Sequence, residues 1–203
     1  EDDVTGSLAW ARALAGAGVL TADEASAIQA TLQEILDAGR ANPATVDGPD
    51  EDVHSYVERL LVAKLGDAGK RLHTGRSRNE QVSLDLRLYL RRRIPALQAA
   101  VAAIIAALTR QARAAGDALM PSYTHFRPAQ PVLVSHFLLA HAAPLRRDYE
   151  RLAQARNEAG ALTLGSGAIA GTAYSVDVEA IARDLGFDRA INPYRGCEHG
   201  CIY

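Results

Sequence analysis

One run of apolar residues constrains this chain more than any other feature. Leu86, Leu90, Ile94, Leu97, Val101, Ile104 and Leu108 follow one another at gaps of 3 or 4. That spacing keeps one face of an α-helix apolar over many turns. Ser77 and Glu80 stand at capping-box spacing just before it, and the pattern continues through Pro95. The spacing predicts one long, kinked helix over residues 77–115, about 55–60 Å at ~1.5 Å per residue. A globule of 203 residues cannot cover such a helix along its whole length, so an elongated bundle with partner subunits is expected.

The remaining helices are read in the same way. Residues 8–14 form a short helix, and Thr21 with Glu24 caps a second that carries Ile28, Leu32 and Ile35. Asp50 is the expected N-cap of a third, with Val53, Tyr56, Val57, Leu60 and Leu61 as its stripe. Residues 72–76 read as an ordered loop and 117–131, with three prolines, as an irregular connection. Pro131 opens another long helix with Val134, Leu138, Leu145, Tyr149 and Leu152 along one side, and Pro144 should bend it. Residues 160–173 hold four glycines in a flexible or tightly turned loop, followed by a short helix over 175–185. With aromatic content of 5% and few alternating β-branched clusters, the fold class is all-α.

Composition excludes several functions. Lys+Arg is 22 against Asp+Glu 24, a net charge of -2 that gives no support to a nucleic-acid partner. No uninterrupted apolar run approaches the ~20 residues of a membrane span, so no membrane partner is expected. The chain begins at Glu1 and its one Met is Met120, so an upstream segment is expected.

Two segments carry candidate chemistry. His73-Thr74-Gly75-Arg76-Ser77-Arg78-Asn79-Glu80-Gln81 brings arginines, hydroxyls and a carboxamide to a helix start, where free N–H groups and the dipole favour an anion. The functional reading is a carboxylate site; a capped helix with solvated arginines is the alternative. Ser122 to Pro131 sets His125 beside Thr124 on a proline-braced, non-helical segment, which suits proton transfer; a structural or merely exposed histidine is the alternative. Gly165-Ser166-Gly167 meets neither the P-loop nor the nucleophile-elbow pattern and reads as a backbone turn packed on a helix. His54, His136 and His141 lie on helices, and the last two are five apart, so they are not paired metal ligands.

Taken together, residues 50–54, 72–81, 123–131 and 164–171 resemble the argininosuccinate lyase family of the fumarase/aspartase superfamily, over about residues 2–188. The run His73 to Asn79 carries most of the specificity. Departures are Glu80 for the usual Asp, Ser122 for Gly, and Phe126-Arg127-Pro128 for Leu-Gln-Arg. The resemblance implies a small N-terminal helical domain (residues 1–75), then the front part of a central long-helix bundle (76–188), truncated, and a divergent tail (189–203), foreign or disordered. It implies reversible β-elimination of argininosuccinate to arginine and fumarate in arginine biosynthesis, by a cytoplasmic homotetramer, with no cofactor and no metal. It assigns proton transfer to His125, and substrate contacts to Asn79, Thr124, Arg78 and Ser77. His54 is placed near the site, supporting His125 or a water.

The family's mobile serine loop and an upstream substrate-binding serine are missing from this sequence, so the chain is expected to be inactive alone. The alternatives are a non-catalytic structural or assembly protein of the same fold, or a fusion. Cys197 and Cys201 resemble the opening of a radical-SAM cysteine motif, and the tail reads as a join rather than a second activity, with His199 a bystander.

Overall fold

The computed structural model describes residues 1–190, and these divide into two units. Unit 1 takes residues 1–89 and the chain from Gly160 onward; unit 2 is Leu90–Ala159.

Unit 1 opens with α1 (Asp2–Gly16) and α2 (Ala22–Ala41). α2 starts at Thr21 because its hydroxyl accepts from Glu24 N (3.2 Å) while Glu24 Oε2 accepts from Thr21 N (2.9 Å), the reciprocal box the spacing predicts. α3 (Val53–Leu65) is capped by Asp52, whose carboxylate accepts from Ser55 N at 2.7 Å. The expected cap, Asp50, instead pairs with Arg59 at 2.7 Å. Gly66, at φ +61, ends α3, and a single turn α4 (Asp67–Lys70) follows. α5 runs from Arg78 to Ala115, and Pro95 costs it one hydrogen bond without ending it. Its residues 78–89 belong to unit 1.

The chain re-enters unit 1 through β3 (Ala161–Leu162), α7 (Val178–Asp184) and β4 (Arg189–Ala190), which pairs parallel with β3. The core joins Trp10 and Leu14 of α1, Ile28 and Leu32 of α2, Leu61 of α3 and Leu84 of α5 to Leu162, Leu164 and Ile181. Each such side chain contributes about 1.5–3 kcal/mol by leaving water. α1 and α5 approach closely at Gly6, where a Cβ would stand 2.6 Å from Leu84 Cδ2. Of the tail expected from residue 189, only Arg189 and Ala190 are described; Cys197, His199 and Cys201 lie outside the described residues.

Unit 2 holds residues 90–115 of α5, a hairpin and α6 (Val134–Glu158). The hairpin corrects the expected irregular connection. β1 (Leu119–Thr124) pairs antiparallel with β2 (Arg127–Leu133), and Pro121 faces Pro131 where neither could donate. Pro131 is therefore a strand residue, and α6 begins at Val134. Of the stripe residues, Leu86 in unit 1 and Leu97, Ile104 and Tyr149 in unit 2 are exposed, as are Phe137 and Leu139. Among the described residues one helix, α5, is long and apolar enough over an 18-residue window to cross a membrane by length and composition alone. Its C-terminal half carries Leu97, Val101, Ile104 and Leu108 as one stripe among alanines, the arrangement of a helix-packing surface.

Candidate active site

Unit 1 holds Ser77, Arg78, Asn79 and His54; unit 2 holds Thr124 and His125.

The first turn of α5 is pinned from several directions. Trp10 Nε1 donates to Thr74 O at 3.3 Å. Gly75, at φ +68, leaves no space for a Cβ against Thr172 Oγ1 and Tyr174. Ser77 Oγ accepts from Asn79 N (3.3 Å), and Glu80 Oε1 accepts from Ser77 N (2.9 Å). Arg78 donates to Glu58 Oε2 (3.2 Å) and Gln81 Oε1 (3.3 Å). Asn79 is exposed, Ser77 and Arg78 half-buried, so these polar side chains surround a helix start that favours an anion.

Beneath lies a buried charge cluster that sequence reading missed. His54 Nδ1 donates to Asp3 Oδ1 at 2.7 Å and lies 3.7 Å from Asp85 Oδ2. Gln81 Nε2 also donates to Asp3 Oδ1, and Arg76 donates to Ser7 Oγ at 3.1 Å. Burial alone would raise the Asp3 carboxyl, but the hydrogen bond and charge of His54, with Arg76, hold it below its ordinary value. For His54, burial works downward and is outweighed by Asp3 and Asp85, so the imidazole is raised. Burial, then the charge of Asp3, pushes Asp85 up to about 7. Burial lowers Arg76 to about 10, still charged at neutral pH, and lowers His73 together with Arg76 and Arg78.

Asp3, His54 and Asp85 bring one donor atom each within 4.8 Å of one another, the donor types of a metal site. The Arg76 guanidinium already supplies positive charge beside them. A cavity of ≈ 20 Å³ touches His54, His73, Arg76, Arg78, Ser7 and Gln81. That is room for about one water and not for a dicarboxylate. The signal that could have found this cluster is on α1, where Asp3 and Ser7 share the stripe of Trp10 and Leu14.

In unit 2, His125 and Phe126 are the two loop residues of the β1–β2 hairpin, at φ 50 and 59. A two-residue turn with both central residues at positive φ normally uses Asn-Gly, because other side chains pay about 1–2 kcal/mol each there. The exposed hairpin tip therefore holds the imidazole in a conformation that local energetics disfavour. Thr124 is the last residue of β1, paired with Arg127.

The glycine turn is tightly built, as its sequence suggests. Gly165 N and Gly167 N donate to Glu80 Oε2 at 2.8 and 2.9 Å, so the amides that could cradle a phosphate already hold a carboxylate of the chain. His136 and His141 are exposed on α6, and His141 sits edge-on to Phe137 at 4.8 Å.

Comparison with known proteins agrees with the sequence resemblance. The argininosuccinate lyase of Ruminiclostridium cellulolyticum is 42% identical over 186 residues, which is 92% of this chain and 40% of that protein. The chain thus spans less than half the length of this curated relative. Among solved structures, a variant of EDDS lyase with bound fumarate superposes with a TM-score of 0.78 at 26% identity, over 93% of this chain and 37% of that one. The 3-carboxy-cis,cis-muconate lactonizing enzyme of Pseudomonas putida shares the fold, with a TM-score of 0.68 at 22% identity, over 92% of this chain and 44% of that one. A family described as Lyase matches residues 1–195, nearly the whole chain, and the chain belongs to that family.

Proposed function

We propose that this chain is the front part of an argininosuccinate lyase, the enzyme that splits argininosuccinate reversibly into arginine and fumarate. The observation that carries the reading is the 42% identity to such an enzyme, together with the His73–Asn79 motif at the pinned start of α5. The reaction removes a proton from the carbon beside a carboxylate, breaks the C–N bond, and returns a proton to the departing guanidino nitrogen. Negative charge accumulates on that carboxylate as the proton leaves, so fixed donors placed there lower the barrier most. Ser77, Arg78 and Asn79 supply hydroxyl, guanidinium and carboxamide donors on a segment that is already ordered. Thr124 adds a hydroxyl beside His125, and His125 moves the proton from its hairpin tip. His54 acts from below: its bond to Asp3 ties α3 to α1, with Asp85 of α5 3.7 Å away.

The complete protein works in arginine biosynthesis in the cytoplasm as a homotetramer, and the exposed apolar residues of α5 and α6 support burial against further helices. Neither metal nor organic cofactor enters this chemistry. The test is fumarate release, followed by absorbance, from the purified chain alone and mixed with a full-length argininosuccinate lyase. In the complete protein His125→Asn should abolish release while leaving the oligomer intact; unchanged turnover removes His125 from the mechanism.

A further inference from the structure

Glu80 has more partners than a helix cap requires. Its side chain is 3% exposed, and its two oxygens serve different parts of the chain. Oε1 accepts from Ser77 N at 2.9 Å; Oε2 accepts from Gly165 N (2.8 Å), Gly167 N (2.9 Å) and Ser166 Oγ (3.4 Å). Its backbone carbonyl accepts from Thr163 Oγ1 at 3.1 Å. The turn can aim two amides at one oxygen because Gly165 and Gly167 sit at φ +99 and +59, where side chains are disfavoured. Each also lacks space for a Cβ, Gly165 against Val178 and Gly167 against the Gly171 carbonyl. The same stretch meets Gly75 through Thr172 and Tyr174, so residues 163–174 grip the segment 75–80 at both ends.

We propose that Glu80 is a positioning residue: through it the 163–167 turn fixes Ser77, Arg78 and Asn79 in the arrangement that receives a substrate carboxylate. The proposal rests on the lyase reading. Glu80 takes the Ser77 amide and Ser77 Oγ takes the Asn79 amide, so the backbone of the segment is held inward while the Asn79 side chain is exposed and Arg78 is held by Glu58 and Gln81. Reach matters as well as charge. A side chain shorter by one methylene, about 1.5 Å, must give up either Ser77 N or the turn amides.

The experiment follows amide hydrogen exchange in the ¹⁵N-labelled chain and titrates it with fumarate, comparing the unchanged chain with Glu80→Gln and Glu80→Asp. In Glu80→Gln, exchange at Ser77, Gly165 and Gly167 should rise about tenfold, as charge-assisted hydrogen bonds become neutral ones. Exchange at Ile28 and Leu32 in the core should stay constant, and fumarate-induced shifts at the Asn79 carboxamide should need several-fold more fumarate. Glu80→Asp keeps the charge and should recover part of both effects; it also serves if Glu80→Gln fails to fold. Loosened turn amides with an unchanged fumarate response would make Glu80 purely structural and overturn the proposal. If the unchanged chain itself gives no fumarate response, the carboxylate site needs the rest of the enzyme, and the lyase reading is judged by fumarate release on mixing with the full-length enzyme. Exchange at Ser77 and Asn79 then decides positioning, and unaltered exchange there overturns it.

Discussion

Removing the charge of Asp85 should change stability in opposite directions at low and high pH. The side chain is 18% exposed and shares its site with Asp3 and His54. Burial and the charge of Asp3 lift its carboxyl from an ordinary 3.8 to about 7. Between those values the folded chain holds a proton that the unfolded chain has lost, so stability falls as pH rises through the window. At about 1.4 kcal/mol per pH unit, ionised Asp85 costs the fold about 4 kcal/mol above pH 7 relative to pH 4. Asp85→Asn removes that cost and buries a carboxamide at a position where Oδ1 has no hydrogen-bond partner, at about 1 kcal/mol. It also takes away one charge that raises His54. The raised imidazole stabilises the fold below its unfolded value of about 6.5 and stops doing so as pH passes its folded value, which offsets part of the gain. The expected net is about 2 kcal/mol of added stability at about pH 8, and none or a small loss at about pH 5. Urea unfolding of both proteins at the two pH values, followed by far-ultraviolet circular dichroism, measures it. A variant-minus-parent difference that does not change with pH would refute the assignment of Asp85 as the buried, proton-holding carboxyl.

Phe126→Gly should stabilise the hairpin by about 1 kcal/mol, since a fully exposed side chain is lost and a left-handed backbone becomes unstrained; thermal melting reads it. Thr21→Ala should cost about 1 kcal/mol by opening the capping box of α2, again measured by urea unfolding. The exposed stripe on α5 should drive self-association, and Leu97→Ser with Ile104→Ser should reduce it in sedimentation velocity; a parent chain that stays monomeric would contradict the packing role given to that face.

The helices were legible because their determinants are local. A stripe at gaps of 3 and 4, a Thr21–Glu24 box and a Gly66 stop act within a turn or two, and α2, α3, α5 and α6 follow them closely. The hairpin was not legible. Its strands contain three prolines instead of alternating β-branched residues, and its turn uses His-Phe where Asn-Gly is the usual signal. Within the candidate site, Ser77 to Asn79 could be placed on a helix start from spacing alone. The left-handed backbone of His125 could not, and neither could the partners of His54.

What the sequence determined by itself is most of the helices, the capping box of α2 and the polar motif at the start of the long one, all matters of neighbours three or four residues apart. Tertiary structure alone decided that Asp3 and Asp85 would meet on His54, and that the turn at 163–167 would close on Glu80. These partners are separated by dozens of residues, and only burial of the shared apolar core offsets the entropy of bringing them together. Once there, desolvated carboxylates and imidazole must satisfy one another, which is why the proton and hydrogen-bond pattern belongs to the fold and not to any segment of it.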